Sequence, residues 1–213
     1  MTTDWVAWHT DYDDPGSALS QRLSVVRSQI GRWLDETAPR PVTVVSICSG
    51  DARDVLGALA RRADAARVGV TLVELDPQLC RRARETASAS GLTEVDVRCA
   101  DAGDLTAYAG CPPADLVLVC GVFGNISAAD TALTVARLHE LCAEDARVIW
   151  TRCRRGPDVT PAIRTSFDDN GFREVAFLTP GDTLTAVGVH DLVAGAGRSI
   201  VDRPDARLFR FQR

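Results

Sequence analysis

The stretch FREVAFLTPGDTLTAVGVHDL, residues 172–192, holds two short apolar runs with only TPGDT between them. That linker is too short for the helix a parallel crossover needs, so 172–178 and 184–192 pair as an antiparallel hairpin. Upstream the rhythm is different. Strand-like runs at 42–48 (VTVVSIC), 67–75, 95–100, 114–123 and 146–152 alternate with helical patterns at 54–64, 77–90, 127–142 and 161–171. The first, second, fourth and fifth runs are nearly continuous in apolar residues, as parallel strands covered on both faces require. The sequence therefore predicts an α/β fold: a seven-stranded, mostly parallel sheet with an antiparallel last strand and helices on both faces.

Residues at the element boundaries agree with this alternation. Asp76-Pro77 reads as a helix cap followed by proline in the first turn, and Thr160-Pro161 repeats the pattern. Ser127 and Asp130 form a capping box, while Gly91 and Gly171 close two helices. Ahead of the first strand, residues 16–37 form an amphipathic helix, and PRP (39–41) separates it from the sheet. The expected organisation is one structural domain: an N-terminal extension and helix over 1–38, and a main domain over 39–213.

Composition narrows the function classes. A formal net charge of −5 gives no general attraction to nucleic-acid backbones or anionic membranes. Every one of the 24 formally positive side chains is arginine, which removes P-loop and Schiff-base lysine chemistry. The seven cysteines are odd in number and contain no C-x-x-C pair, so zinc and a disulfide framework are not expected, and the thiols read as buried and free. The N-terminus lacks a signal-peptide pattern and no apolar run is long enough to span a membrane, so a cytoplasmic location is expected.

A parallel sheet that ends in such a hairpin resembles the class I S-adenosylmethionine-dependent methyltransferase family, with its Rossmann-like fold. The resemblance extends over residues 42–192. In that family the first strand runs into an acidic-x-G-x-G-x-G loop; here Ser46, Cys48, Gly50 and Ala52 occupy the four positions. Only Gly50 keeps the glycine, yet all four residues are small, which meets the need for close backbone approach to a ligand. The acid is missing at Ser46, with Asp51 and Asp54 nearby.

The resemblance implies S-adenosylmethionine as cofactor and places its contacts at successive strand ends. Cys48, Ser49 and Gly50 line the loop. Glu74 and Asp76 compete to accept the ribose hydroxyls; Asp76 precedes Pro77 and is explained as a cap, so Glu74, followed by Leu75, takes the ribose. Asp101 with Ala102 meets the adenine, and Cys120 with Gly121 flanks the methionine moiety. No metal site is implied. The nucleic-acid amino-methyltransferase motif Asn/Asp-Pro-Pro-aromatic is absent from CGVFGNIS (120–127), so a small-molecule acceptor is favoured over nucleic acid.

The catalytic group is not identified. His9, Tyr12, Asn125 and His190 are the candidates, with His190 placed at the end of the last strand on the substrate side. The segment DWVAWHTDYDDPGS (4–17), with Trp5, Trp8, His9 and Tyr12, suits a lid over a sulfonium and equally an aromatic staple. Arg152, Arg154 and Arg155 read either as an anion-binding group or as a solvated loop. Two other functions stay open: a nicotinamide or flavin enzyme, which lacks its G-x-G-x-x-G here, and a non-catalytic S-adenosylmethionine-binding or partner-binding domain with a degenerate loop. The oligomeric state is not readable.

Overall fold

The computed structural model describes residues 9–181, 183–193 and 206–212. After a 3-10 turn at His9–Asp13, α1 (Ala18–Thr37) is capped by the Ser17 hydroxyl, which accepts from Ser20 N. The alternation then runs β1 (Val42–Ile47), α2 (Arg53–Leu59), β2 (Val68–Glu74), α3 (Pro77–Ala89), β3 (Val95–Cys99), β4 (Ala114–Val119) and α4 (Ala128–Arg137). It continues through β5 (Cys142–Cys153) and α5 (Thr160–Asp169) to β6 (Phe172–Leu178) and β7 (Thr185–Leu192).

The seven strands form one sheet in the order β3-β2-β1-β4-β5-β7-β6. Strands β1 to β5 pair in parallel, and β7 inserts antiparallel between β5 and β6. Chain order reverses between β1 and β4, the position where open α/β sheets present a ligand crevice at their carboxyl edge.

Each face of the sheet buries its own core. One holds Val26, Ile30, Trp33 and Leu34 of α1 with Val55, Leu56 and Leu59 of α2 against β1, β2, β4 and β7. Thus α1 is part of the packed layer. The other face gathers Phe123, Trp150, Phe167 and Phe172, with Trp150 and Phe167 stacked at 5.9 Å. Gly188 on β7 pairs with Trp150 on β5, and the indole lies across it: a Cβ there would come within 2.2 Å of the ring. Glycine is required at 188 by that contact.

Several boundaries differ from the sequence reading. The helix expected over 54–64 stops at Leu59, because Arg62 and Arg67 both donate to Asp64 and tie the following turn. Strand β5 begins at Cys142, earlier than expected, through a pairing with Ala114 and an irregularity near Asp145, whose φ is 58°. Thr160 is the first residue of α5 and not its cap. Val159 is the N-cap, and Asp158 ahead of it accepts from Thr160 N at 2.9 Å and Oγ1 at 2.7 Å. The cysteines are free, but Cys99 and Cys153 are exposed. Among the described residues no helix is long and apolar enough to cross a membrane.

Candidate functional site

Strand β1 runs directly into the loop that sequence marked. Cys48, Gly50 and Ala52 all have positive φ, at 52°, 58° and 56°. These are the three positions where the resemblance placed glycines. For Cys48 and Ala52 the left-handed conformation costs on the order of 1 kcal/mol each. The backbone therefore follows a glycine-type path with a single glycine. Ser49 N donates to Val73 O at 3.0 Å, and Ala52 N to Ser49 O at 2.9 Å, fixing the turn.

Glu74 ends β2 beside this loop. Its Oε2 accepts from Gly50 N at 2.8 Å, and Oε1 accepts from Leu75 N and Asp76 N, both at 2.9 Å. Asp76 does a different job: its Oδ1 accepts from Gln78 N at 2.7 Å and Leu79 N at 3.3 Å, capping α3. Next to Glu74, the Leu75 side chain is 66% exposed and offers an apolar surface at the strand end.

Across the crevice, Asp101 follows β3. Its Oδ1 accepts from Gly103 N at 2.9 Å and its Oδ2 from Arg207 at 2.5 Å. Ala102 is buried, and its carbonyl accepts from the Tyr108 hydroxyl at 2.8 Å. The Cys48 thiol is pushed up well above its usual value, first by burial and then by the carboxylates of Glu74 and Asp101. A neutral sulfur thus lies within the field of both acids, and the three strand ends converge on one place.

Arg207 was not foreseen. It belongs to a C-terminal segment that crosses the sheet edge: Leu208 N donates to Gly103 O, Leu105 N to Ala206 O, and Gln212 N to Asn125 O. The segment's own Leu208 and Phe209 are buried in the core that holds Phe123 and Trp150. These isolated contacts join residues about a hundred positions apart and leave no periodic trace in sequence.

At the end of β4, Gly121 N donates to Thr151 Oγ1 at 2.9 Å, and the Asn125 amide donates to Gly121 O at 2.7 Å. Phe123 is core, 5.9 Å from Trp150 between ring centres. The Cys120 thiol is raised by burial and by the neighbouring Asp54 carboxylate. Asp54 is itself raised by burial, against the opposing pull of its bond from Val55 N and of Arg22.

Arg22 also donates to the Tyr12 hydroxyl, and the guanidinium groups of Arg22 and Arg53 lie 5.8 and 5.3 Å from the Tyr12 ring centre. Burial keeps the Tyr12 phenol above its usual value. The N-terminal turn is in this way latched beside the loop, an arrangement with no local sequence signal. Trp5, Trp8 and the side chain of His9 lie outside the described residues.

His190 is corrected. Because β7 runs antiparallel, its end lies at the opposite edge from the crevice, and His190 pairs with Val148 in the middle of β5. The imidazole is buried, stacked on Phe167 at 4.4 Å, and its Nδ1 accepts from the Trp150 indole at 3.2 Å. Desolvation pulls its pKa down to about 4. It is a neutral core residue, out of reach of the crevice.

One buried side-chain atom of the loop itself is unpaired. The Ser49 hydroxyl has no hydrogen-bond partner among the described residues. A left-handed loop, an unpaired hydroxyl, a carboxylate with remaining lone pairs and an exposed leucine fit a nucleoside-bearing ligand. No cluster of three or more metal-ligating side chains occurs among the described residues.

No protein-family model matches the chain, and no curated protein matches it in sequence. Solved structures do match in fold. Magnesium protoporphyrin IX methyltransferase (ChlM) from Synechocystis PCC 6803, with bound SAM, superposes with a TM-score of 0.66 at 15% identity, covering 89% of this chain and 90% of that one. An O-methyltransferase family protein from Burkholderia thailandensis gives 0.64 at 17% identity, covering 82% of this chain. The match spans only 57% of the Burkholderia protein's length. The chain has the class I methyltransferase fold.

Proposed function

We propose that this chain is an S-adenosylmethionine-dependent methyltransferase that acts on a small-molecule acceptor by in-line transfer. The observation that carries the reading is the retained left-handed path at residues 48, 50 and 52, tied through Gly50 N to Glu74. Two of those positions hold residues that pay for the conformation, and a plain strand–helix turn has no need of it.

In this reading Glu74 accepts the ribose hydroxyls with the lone pairs not used by Gly50, Leu75 and Asp76. Leu75 covers one side of the adenine, and Asp101 with the Ala102 amide meets its polar edge. Cys48, Ser49 and Gly50 contact the cofactor through the loop, and Cys120 with Gly121 flanks its methionine part. When bound, the sulfonium supplies an electrophilic methyl group whose leaving group is a neutral thioether. The chain's own contribution is alignment: the Asn125–Gly121 bond fixes the loop that borders the acceptor, and the acceptor's proton passes to solvent. Among the candidate bases, Tyr12 is held protonated and Asn125 has no basic atom, so neither takes that proton. The latched N-terminal turn borders the loop through Arg22 and Arg53.

Calorimetric titration with S-adenosylmethionine, S-adenosylhomocysteine and NAD tests this. The two sulfur compounds bind at one site and NAD does not. Binding of NAD alone, or of none of the three, contradicts the proposal.

A further inference from the structure

The strand end next to β4 carries a feature that cofactor binding does not use. Arg152 and Arg154 stand two residues apart where β5 leaves the sheet, so both project to the same side of the extended chain. Each is half-buried, and the Nε group of each is buried without a hydrogen-bond partner among the described residues. Every other half-buried arginine among the described residues has a carboxylate, carbonyl or hydroxyl partner: Arg67 has Asp64, Arg147 has Asp191 and Arg207 has Asp101. Arg207 shares a buried unpaired Nε but its Nη donates to Asp101, whereas Arg152 and Arg154 have no side-chain partner among the described residues.

Its position is equally specific. An Arg152 Nη lies 3.0 Å from where a Cβ of Gly124 would stand, so the guanidinium sits over the loop that follows β4 and borders the acceptor side. The carboxylate of Asp158 is close enough for both arginines to depress its pKa, after the larger effect of its bonds from Thr160. Yet Asp158 is engaged by Thr160 N and Oγ1, and forms no ion pair with either guanidinium. Two partly desolvated guanidinium groups with free donors, in a chain of net charge −5, are built to receive an oxyanion.

We infer that the methyl acceptor is an anionic small molecule, and that Arg152 and Arg154 hold its carboxylate or phosphate group beside Gly124. This rests on the methyl-transfer reading of the adjoining crevice. The experiment uses the full chain saturated with S-adenosylhomocysteine, titrated with benzoate, phenyl phosphate and the neutral benzamide. Wild type binds one or both anions saturably and binds benzamide at least about tenfold more weakly. Preference for benzoate identifies a carboxylate site, and preference for phenyl phosphate a phosphate site.

The double variant Arg152→Gln/Arg154→Gln keeps its melting temperature and its affinity for S-adenosylhomocysteine, and loses anion affinity by about tenfold or more. Three results overturn the inference: neither anion binds, benzamide binds as well as the tighter of the two anions, or the double variant binds the anions unchanged. A parallel loss of S-adenosylhomocysteine binding in a folded double variant also overturns it, because the pair then serves the cofactor. If wild type takes up the anions but not S-adenosylhomocysteine, the methyl-transfer reading fails and the anion site stands.

Discussion

Ala52 is buried completely and held at a φ of 56°, so its substitutions separate backbone strain from packing. Ala52→Gly removes about 1 kcal/mol of left-handed cost and forfeits a buried methyl worth about 0.8 kcal/mol. Stability to urea should therefore change by less than about 0.5 kcal/mol. Ala52→Val places a β-branched side chain at positive φ in a filled space and should cost about 2 kcal/mol or more. A valine variant as stable as wild type would contradict the loop geometry. Asp76→Ala removes a cap that receives two backbone bonds and should cost about 1 kcal/mol in the same assay. The role of Asp76 as the cap of α3 was legible in sequence, because Pro77 marks it. Arg22 and Arg207 were not legible: each acts on a side chain brought near only by folding.

At the scale of elements, the hairpin decides the fold, and Gly188 is its most constrained residue. Gly188→Ala drives a methyl into the Trp150 indole and should destabilise the protein by about 3 kcal/mol or more, read by chemical denaturation. A loss below about 1 kcal/mol would mean that β7 does not lie against Trp150 as described. The seven strands and five main helices could be read from apolar runs and boundary residues, since both are local signals. Three features could not. The start of β5 depends on a cross-strand pairing with Ala114, the first N–H of α5 is bound by Asp158 although Thr160-Pro161 mimics a cap, and residues 206–212 pair only across the sheet edge. The direction of β7 was read correctly, yet its consequence for His190 was missed: an antiparallel strand carries its end away from the ligand edge.

For the whole molecule, His190 couples stability to pH. Its pKa is about 4 in the fold, against an ordinary value near 6.5. Above about pH 6.5 the imidazole is neutral in both states. As pH falls from there toward 4, the unfolded chain takes up the proton and the folded chain does not, so stability declines by up to about 3 kcal/mol across that window. His190→Gln keeps an acceptor for the Trp150 indole and removes the titration, so its stability should fall less over the same range. Parallel pH curves for the two proteins would contradict a neutral buried imidazole.

The loop at residues 48–52 and Glu74 together form the proposed cofactor site. Calorimetric binding of S-adenosylhomocysteine to wild type and Glu74→Ala tests that directly, with Asp76→Ala as the reference for a carboxylate that only caps a helix. The predicted result is saturable one-to-one binding by wild type and Asp76→Ala, and an affinity lower by about tenfold or more for Glu74→Ala. Equal affinity in all three proteins, or no binding by any of them, would contradict it.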